Sequence, residues 1–246
     1  MIVAYDGTNY HGFARQPGAT TIQGMLEKAI SKITQEEILT LGAGRTDRGV
    51  HAMGQCVTFD SETKIPVFRL ARAINSQLPP DIVVQSVEEV DSEFHPRFGA
   101  KRKTYRYKIL NTPVPDPFNY RYAYHYPYPI DIEKMQEAAN RMVGVHDFAC
   151  FCASGSTVKD TVREIYSIEV KREGNLVWAD VCGNGFLYNM VRIIIGTLLY
   201  VNEDKLSADD VSAIIESKDR TKAGPTAEAQ GLMMLNIIYE DKEQQK

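Results

Sequence analysis

The segment GAGRTDRGVHAMGQ, residues 42–55, sets a single carboxylate, Asp47, between Arg45 and Arg48, with His51 close behind. Gly42, Gly44, Gly49 and Gly54 punctuate the run. Three readings compete. A hairpin loop could turn these charges to water. A phosphate cradle would use the glycines, but no GxxxxGK[ST] is present, and a central acid repels phosphate. In the third reading the segment is chemical. The arginines keep Asp47 ionised and hold its pKa down. The glycines let another molecule's backbone approach. A carboxylate so placed can serve as nucleophile, base or stabiliser of a cationic centre.

Arg192 is a second candidate. It interrupts the apolar run Leu187 to Val201, and burying an unpaired guanidinium costs several kcal/mol, on the order of the usual ion-desolvation penalty. A structural ion pair, or a side chain snorkelling at the helix edge, would explain it. So would a functional pairing with Asp47, which occupies the equivalent position in the other half of the chain. The third candidate is RFGAKRKTYRYK, residues 97–108, in which six cations are interleaved with Phe98, Tyr105 and Tyr107. This is either a sheet edge guarded by charge or a nucleic-acid surface, with cations for phosphates and a ring for stacking a base. On a strand, Tyr105 and Tyr107 share one face, opposite Arg106 and Lys108. His11, Arg15 and Gln16 carry a weaker phosphate signal. His95 and His146 have no metal-ligand spacing, so no metal is expected.

The elements that must position these residues read in two rounds. Residues 2–6 predict a strand. Thr20 to Gln23 forms a capping-box pattern ahead of an amphipathic helix with Ile22, Leu26 and Ile30 on its stripe. EILTL (37–41) and GQCVTF (54–59) predict strands flanking the glycine-rich loop. Val67, Leu70, Ile74 and Leu78 mark a second helix, stopped by Pro79 and Pro80, and residues 82–90 a further strand. After residue 100 come a strand at 103–110, a Pro- and Tyr-rich connector, and a helix from Ile132 to Gly144. A hairpin across Glu173-Gly174-Asn175 follows, then helices at 187–201 and 208–217, the latter capped by Ser207. A closing strand at 231–239 completes the second round. The order predicts an α+β fold of two ferredoxin-like (βαββαβ, RRM-like) halves, residues 1–100 and 101–246, with adjoining antiparallel sheets around a central basic cleft.

The bulk numbers are those of an ordinary globular protein: 246 residues, 43% hydrophobic, 24% charged, net charge −4. Such a balance excludes a uniformly basic surface but leaves room for a local basic groove. The four cysteines form no CxxC, no signal-like segment opens the chain, and no apolar run is long enough for a membrane helix. The expected location is the cytoplasm, with no membrane association.

The blocks YDGTNYHGFARQP, GRTDRGVHA, FHPRFGAKRKTYRY, GFLYNMVRIIIGTLL and GLMML resemble, in order and over nearly the whole length, those of the TruA family of tRNA pseudouridine synthases. The resemblance implies an isomerase that converts uridine to pseudouridine in the anticodon stem-loop of tRNA, just 3′ of the anticodon (tRNA positions 38–40). It implies a homodimer and no cofactor. Carried over, Asp47 matches the nucleophile, Tyr105 the tyrosine stacked on the target base, and Arg192 the basic partner of the aspartate. Arg45 matches an arginine that helps extrude the base, and Leu232 an aliphatic residue packing at the site. His51 and the cations of 97–108 are candidates for phosphate contact. Arg48 departs from the family, many of whose members carry a small residue there. Whether Asp47 attacks C1′, attacks C6, or assists elimination at C2′ stays open, as does the base that takes the C5 proton, for which Tyr105 and Asp47 are candidates. Two other functions fit parts of the pattern: a non-catalytic tandem RRM-like RNA-binding protein, and a glycosylase that releases free uracil.

Overall fold

The computed structural model describes residues 1–239. It is a mixed α/β protein in which most strand pairs are antiparallel. The chain divides into two compact units, Met1–Lys101 with the segment from Met233 onward, and Arg102–Leu232.

In the first unit, β1 (Ile2–Tyr5) lies between β3 (His51–Phe59) and β4 (Ile82–Ser86), antiparallel to both. The short β2 (Thr40–Gly42) pairs antiparallel with the far end of β3, Gly42 opposite Val57. The pairing order is therefore β4-β1-β3-β2. Helices α1 (Ile22–Thr34) and α2 (Val67–Asn75) bury Ile22, Leu26, Ile30, Leu70 and Ile74, as their apolar spacing dictates. The cap of α1 is Thr21, one residue later than the sequence pattern suggests. Its side chain accepts the Gly24 N–H at 3.3 Å, while the Gln23 amide reaches the Thr40 carbonyl at 2.8 Å and so does not close a capping box. Expected strand 37–41 is reduced to β2, because the Ile38 N–H is taken by the Ser31 hydroxyl at 3.1 Å.

In the second unit, β5 (Arg102–Leu110), β9 (Leu176–Gly183), β8 (Val162–Glu173) and β7 (Gly144–Asp147) follow one another in the sheet, all antiparallel. The two-residue β6 (Tyr124–His125) adds parallel to the end of β5. Helix α3 (Ile132–Asn140) stops short of the expected end at Gly144, which instead opens β7, a strand the sequence pattern did not signal. Helix α4 (Met190–Asn202) is buried nearly all round, and α5 (Ala208–Ser217) carries a full capping box between Ser207 and Asp210. The last strand, β10 (Leu232–Ile238), reads in the sequence as the close of the second round. Here it pairs in parallel with β3 of the first unit, Met233 opposite His51. Among the described residues no helix is long and apolar enough to cross a membrane.

Candidate active site

In the first unit, Asp47 rides on the loop between β2 and β3. The loop is held at both ends and in its middle. At its start the Gln55 side chain bonds Gly44 twice, accepting from its N–H at 3.3 Å and donating to its carbonyl at 2.8 Å. In the middle, the Thr46 carbonyl accepts the Phe13 N–H at 3.0 Å, and the buried Thr46 hydroxyl lies 2.8 Å from the Tyr5 hydroxyl. Burial pushes the Tyr5 phenol well above its ordinary pKa, so it remains a neutral partner. A turn closes from the Val50 N–H to the Asp47 carbonyl at 3.1 Å.

The surface against which the loop rests is the segment 6–13, and its glycines are dictated by proximity. A Cβ on Gly7 would sit 2.0 Å from the Val50 carbonyl oxygen. Gly12 has φ +88°, and a Cβ there would sit 2.6 Å from the Thr46 oxygen and 3.2 Å from the Asp47 carbonyl carbon. Only glycine satisfies both the conformation and the contact. The blocks around YDGTNYHGF and GRTDRGVHA therefore form one interlocked structure, with half-buried Asp47 between exposed Arg45 and Arg48. Among the described residues neither of these two guanidinium groups makes a hydrogen bond or ion pair.

His51 is placed differently from the sequence expectation. It is 1% exposed, so it presents no surface to a phosphate. Its Nδ1 lies 3.0 Å from the Gly7 nitrogen and 3.1 Å from Asp6 Oδ1. One nitrogen cannot accept from the first and donate to the second. Asp6 Oδ1 already accepts the Thr8 N–H and hydroxyl at 2.9 and 2.5 Å, so we assign Nδ1 as the acceptor of Gly7. The ring thus fixes the start of the 6–13 segment.

In the second unit, β5 alternates as expected. Lys103, Tyr105 and Tyr107 are buried, and Arg106 and Lys108 face the other way. Tyr105, 7% exposed, meets Phe186 edge-on, with centroids 5.2 Å apart at 85°. Tyr107 is fully buried and donates its hydroxyl to the Glu228 carbonyl at 2.9 Å. One member of the basic run is already occupied. Arg106 sits opposite Asp180 on β9, bonds it through Nε and Nη2 at 2.7 Å each, and stacks 5.1 Å from the Trp178 centroid. The Asp180 bond raises the Arg106 pKa further. Arg102 lies 4.9 Å from the Tyr166 centroid. The acid that occupies Arg106 comes from the neighbouring strand, where a linear reading of 97–108 could not find it.

Arg192 lies in the first turn of α4 and is half-buried among residues that are otherwise covered. Its Nε donates to the Ala227 carbonyl at 2.6 Å and its Nη1 to Asn189 Oδ1 at 2.8 Å. The Ala227 N–H returns a bond to the Arg192 carbonyl at 3.1 Å. The loop carrying Ala227 is itself fixed: Arg220 donates to the Ala223 and Gly224 carbonyls, and Gly224 N–H donates to the Thr197 hydroxyl. Leu232 is 5% exposed and follows a short 3-10 turn, Ala229–Gly231. Asn189, the Ala227 carbonyl and the Tyr5–Thr46 pair are contributors that sequence reasoning missed. Nothing in residue spacing announces them. Among the described residues no group of three or more His, Cys, Asp or Glu side chains could hold a metal ion.

A family model described as tRNA pseudouridine synthase matches residues 1–99 and 138–240. The protein named tRNA pseudouridine synthase A of Thermoanaerobacter sp. (strain X514) is 49% identical over 239 residues, 97% of this chain and 98% of that one. The proteins of the same name from Brevibacillus brevis and Acetivibrio thermocellus are 48% and 46% identical, each covering 97% of this chain and 98% of their own length.

Proposed function

The chain belongs to the tRNA pseudouridine synthase family, and from that premise we propose that it converts uridine to pseudouridine in the anticodon stem-loop of tRNA, just 3′ of the anticodon, with Asp47 as nucleophile and without a cofactor. The observation that carries the reading is the loop of Asp47: a half-buried carboxylate, flanked by two exposed arginines without partners among the described residues, on a backbone fixed at Gly44, Thr46 and Val50. A loop that merely turned charge to water would not need so many constraints.

The chemistry matches such a group. The reaction breaks the C1′–N1 bond, turns the base and joins C1′ to C5; C5 loses a proton and N1 gains one. No oxidation state changes and no energy donor is consumed, so side chains suffice. The target base must first leave its stack, at a cost of a few kcal/mol. Arg45 fills the vacated space, and Tyr105, its ring immobilised on Phe186, stacks on the base. Arg192 serves as the counter-ion of Asp47, and Leu232 supplies apolar contact. His51 holds the 6–13 segment that supports the loop. The frame around these groups is read as two ferredoxin-like halves. In the first unit the pairing order β4-β1-β3-β2 supports this, being the split βαβ arrangement. A homodimer is the proposed assembly, tested by sedimentation.

A non-catalytic RRM-like binder is disfavoured by Asp47: a surface that only binds RNA gains nothing from a half-buried carboxylate, which repels phosphate. The test is turnover of tRNA tritiated at C5 of uridine. We expect tritium release and pseudouridine formation with the native protein, and neither with Asp47→Ala, while tRNA binding persists. Equal turnover by Asp47→Ala refutes the nucleophile; release of uracil points to the glycosylase.

A further inference from the structure

Asn189 departs from the usual habits of its position. An asparagine at a helix N-cap normally takes extended backbone angles and uses its side-chain oxygen to cap an N–H one turn ahead. Asn189 begins α4 with φ 58° and ψ 11°, in the left-handed region, and its side chain caps nothing. The oxygen goes instead to Arg192 Nη1 at 2.8 Å. Few residues other than glycine accept this backbone conformation, and asparagine is among them. The conformation alone would be met equally well by glycine, so the side chain answers a separate need.

That need is visible at Arg192. The guanidinium has five N–H donors in a fixed fork. One is seated on the Ala227 carbonyl and one on Asn189 Oδ1, and two points on a planar group fix its orientation. Both acceptors are neutral. A carboxylate at residue 189 would hold the fork as firmly but cancel its charge. Neutral oxygens orient the cation and leave its charge available to a reacting anion.

We propose that Asn189 is a positioning residue for the isomerase reaction: through Oδ1 it sets the orientation of the Arg192 guanidinium without neutralising it. The proposal rests on the counter-ion role of Arg192 proposed above. Asn189→Gly separates the side chain from the backbone, since glycine takes φ 58° without strain and lacks only the acceptor. Asn189→Gly is expected to lower kcat about tenfold, the loss of one hydrogen bond to a charged group, with tRNA Kd and melting temperature unchanged. Asn189→Asp keeps the oxygen and is expected to be impaired at least as much. In an Arg192→Lys background, which has no fork to orient, Asn189→Gly should add nothing further. Wild-type kcat in Asn189→Gly overturns the proposal, as does a full multiplicative loss in the double variant. Wild-type kcat in Asn189→Asp overturns the requirement for neutrality. If Arg192→Lys itself keeps wild-type kcat, the counter-ion role falls and takes the proposal with it. If Arg192→Lys is impaired and Asn189→Gly is not, the positioning role alone fails.

Discussion

Replacing Gly12 with alanine tests whether the 6–13 segment sets the position of Asp47. Two costs are separable there. The first is conformational: at φ +88° an L residue carries strain of about 1–2 kcal/mol. The second is steric. The new Cβ falls 2.6 Å from the Thr46 carbonyl oxygen, which must recede by roughly 0.8 Å to reach ordinary contact at 3.4 Å. Thr46 is bonded directly to Asp47, so the carboxylate moves with it. Displacements approaching 1 Å at a reacting group cost on the order of a hundredfold in rate. We therefore expect kcat of Gly12→Ala to fall tenfold to a hundredfold by that scale, and the melting temperature to fall by roughly 2–8 °C for a chain of this size. Gly18→Ala supplies the control. Gly18 has φ +73°, and nothing lies within 4 Å of the Cβ it would acquire. It suffers the strain without the collision, and should lose a similar few degrees with kcat retained. The assay is single-turnover tritium release at saturating enzyme, with calorimetry in parallel. If both variants lose stability equally and both keep wild-type kcat, the loop's position does not depend on this contact.

Two further perturbations separate binding from folding. Arg48→Ala should reduce the slope of log Kd for tRNA against log salt by about 0.7–0.9, the loss of one phosphate contact, whereas Arg106→Lys should leave that slope unchanged and lower the melting temperature, because Arg106 is held by Asp180 and Trp178. An altered slope in Arg106→Lys would contradict its structural assignment. Asp147 accepts from Lys218 Nζ at 2.7 Å, the Thr161 hydroxyl at 2.5 Å and the Ala149 N–H at 3.2 Å. These bonds, that of Lys218 first, hold its pKa below the ordinary carboxylate value. A carboxyl depressed in the fold adds stability above its unfolded pKa, near 4, and loses it as pH falls through the folded value. The melting temperature of Asp147→Asn should therefore lie below wild type at pH 6 and converge with it toward pH 3; a pH-independent gap would show that the charge is not involved.

Legibility in the sequence followed the range of the interactions. Helix α5 was readable to the residue, because Ser207 and Asp210 form its cap within one turn. The face of Tyr105 and Tyr107 was readable because strand alternation is local. Asp47 was legible as a candidate because one acid between two arginines is a pattern of types. What could not be read depends on contacts distant in sequence. His51 reads as a polar loop residue, yet it is buried against Gly7, forty-four positions away. Strand 37–41 looked longer because its apolar alternation continues, but Ser31 intercepts the Ile38 N–H. The Arg106–Asp180 pair spans seventy-four positions, and so the basic run looked like a richer phosphate surface than it is.

The same distinction explains why arginines of one composition take different roles. A guanidinium on a strand faces its neighbour directly across the ladder, so an aspartate at that register saturates it, as Asp180 saturates Arg106. A guanidinium in the first turn of a buried helix meets the preceding turn and a crossing loop. Both offer amide oxygens, here those of Asn189 and Ala227. Loop arginines beside β2 and β3 have neither a ladder partner nor a helix turn, and Arg45 and Arg48 are exposed. Backbone context thus sorts the cations into one paired with its strand neighbour, one held by neutral amide oxygens, and two exposed on a loop. A count of basic residues alone would miss that sorting.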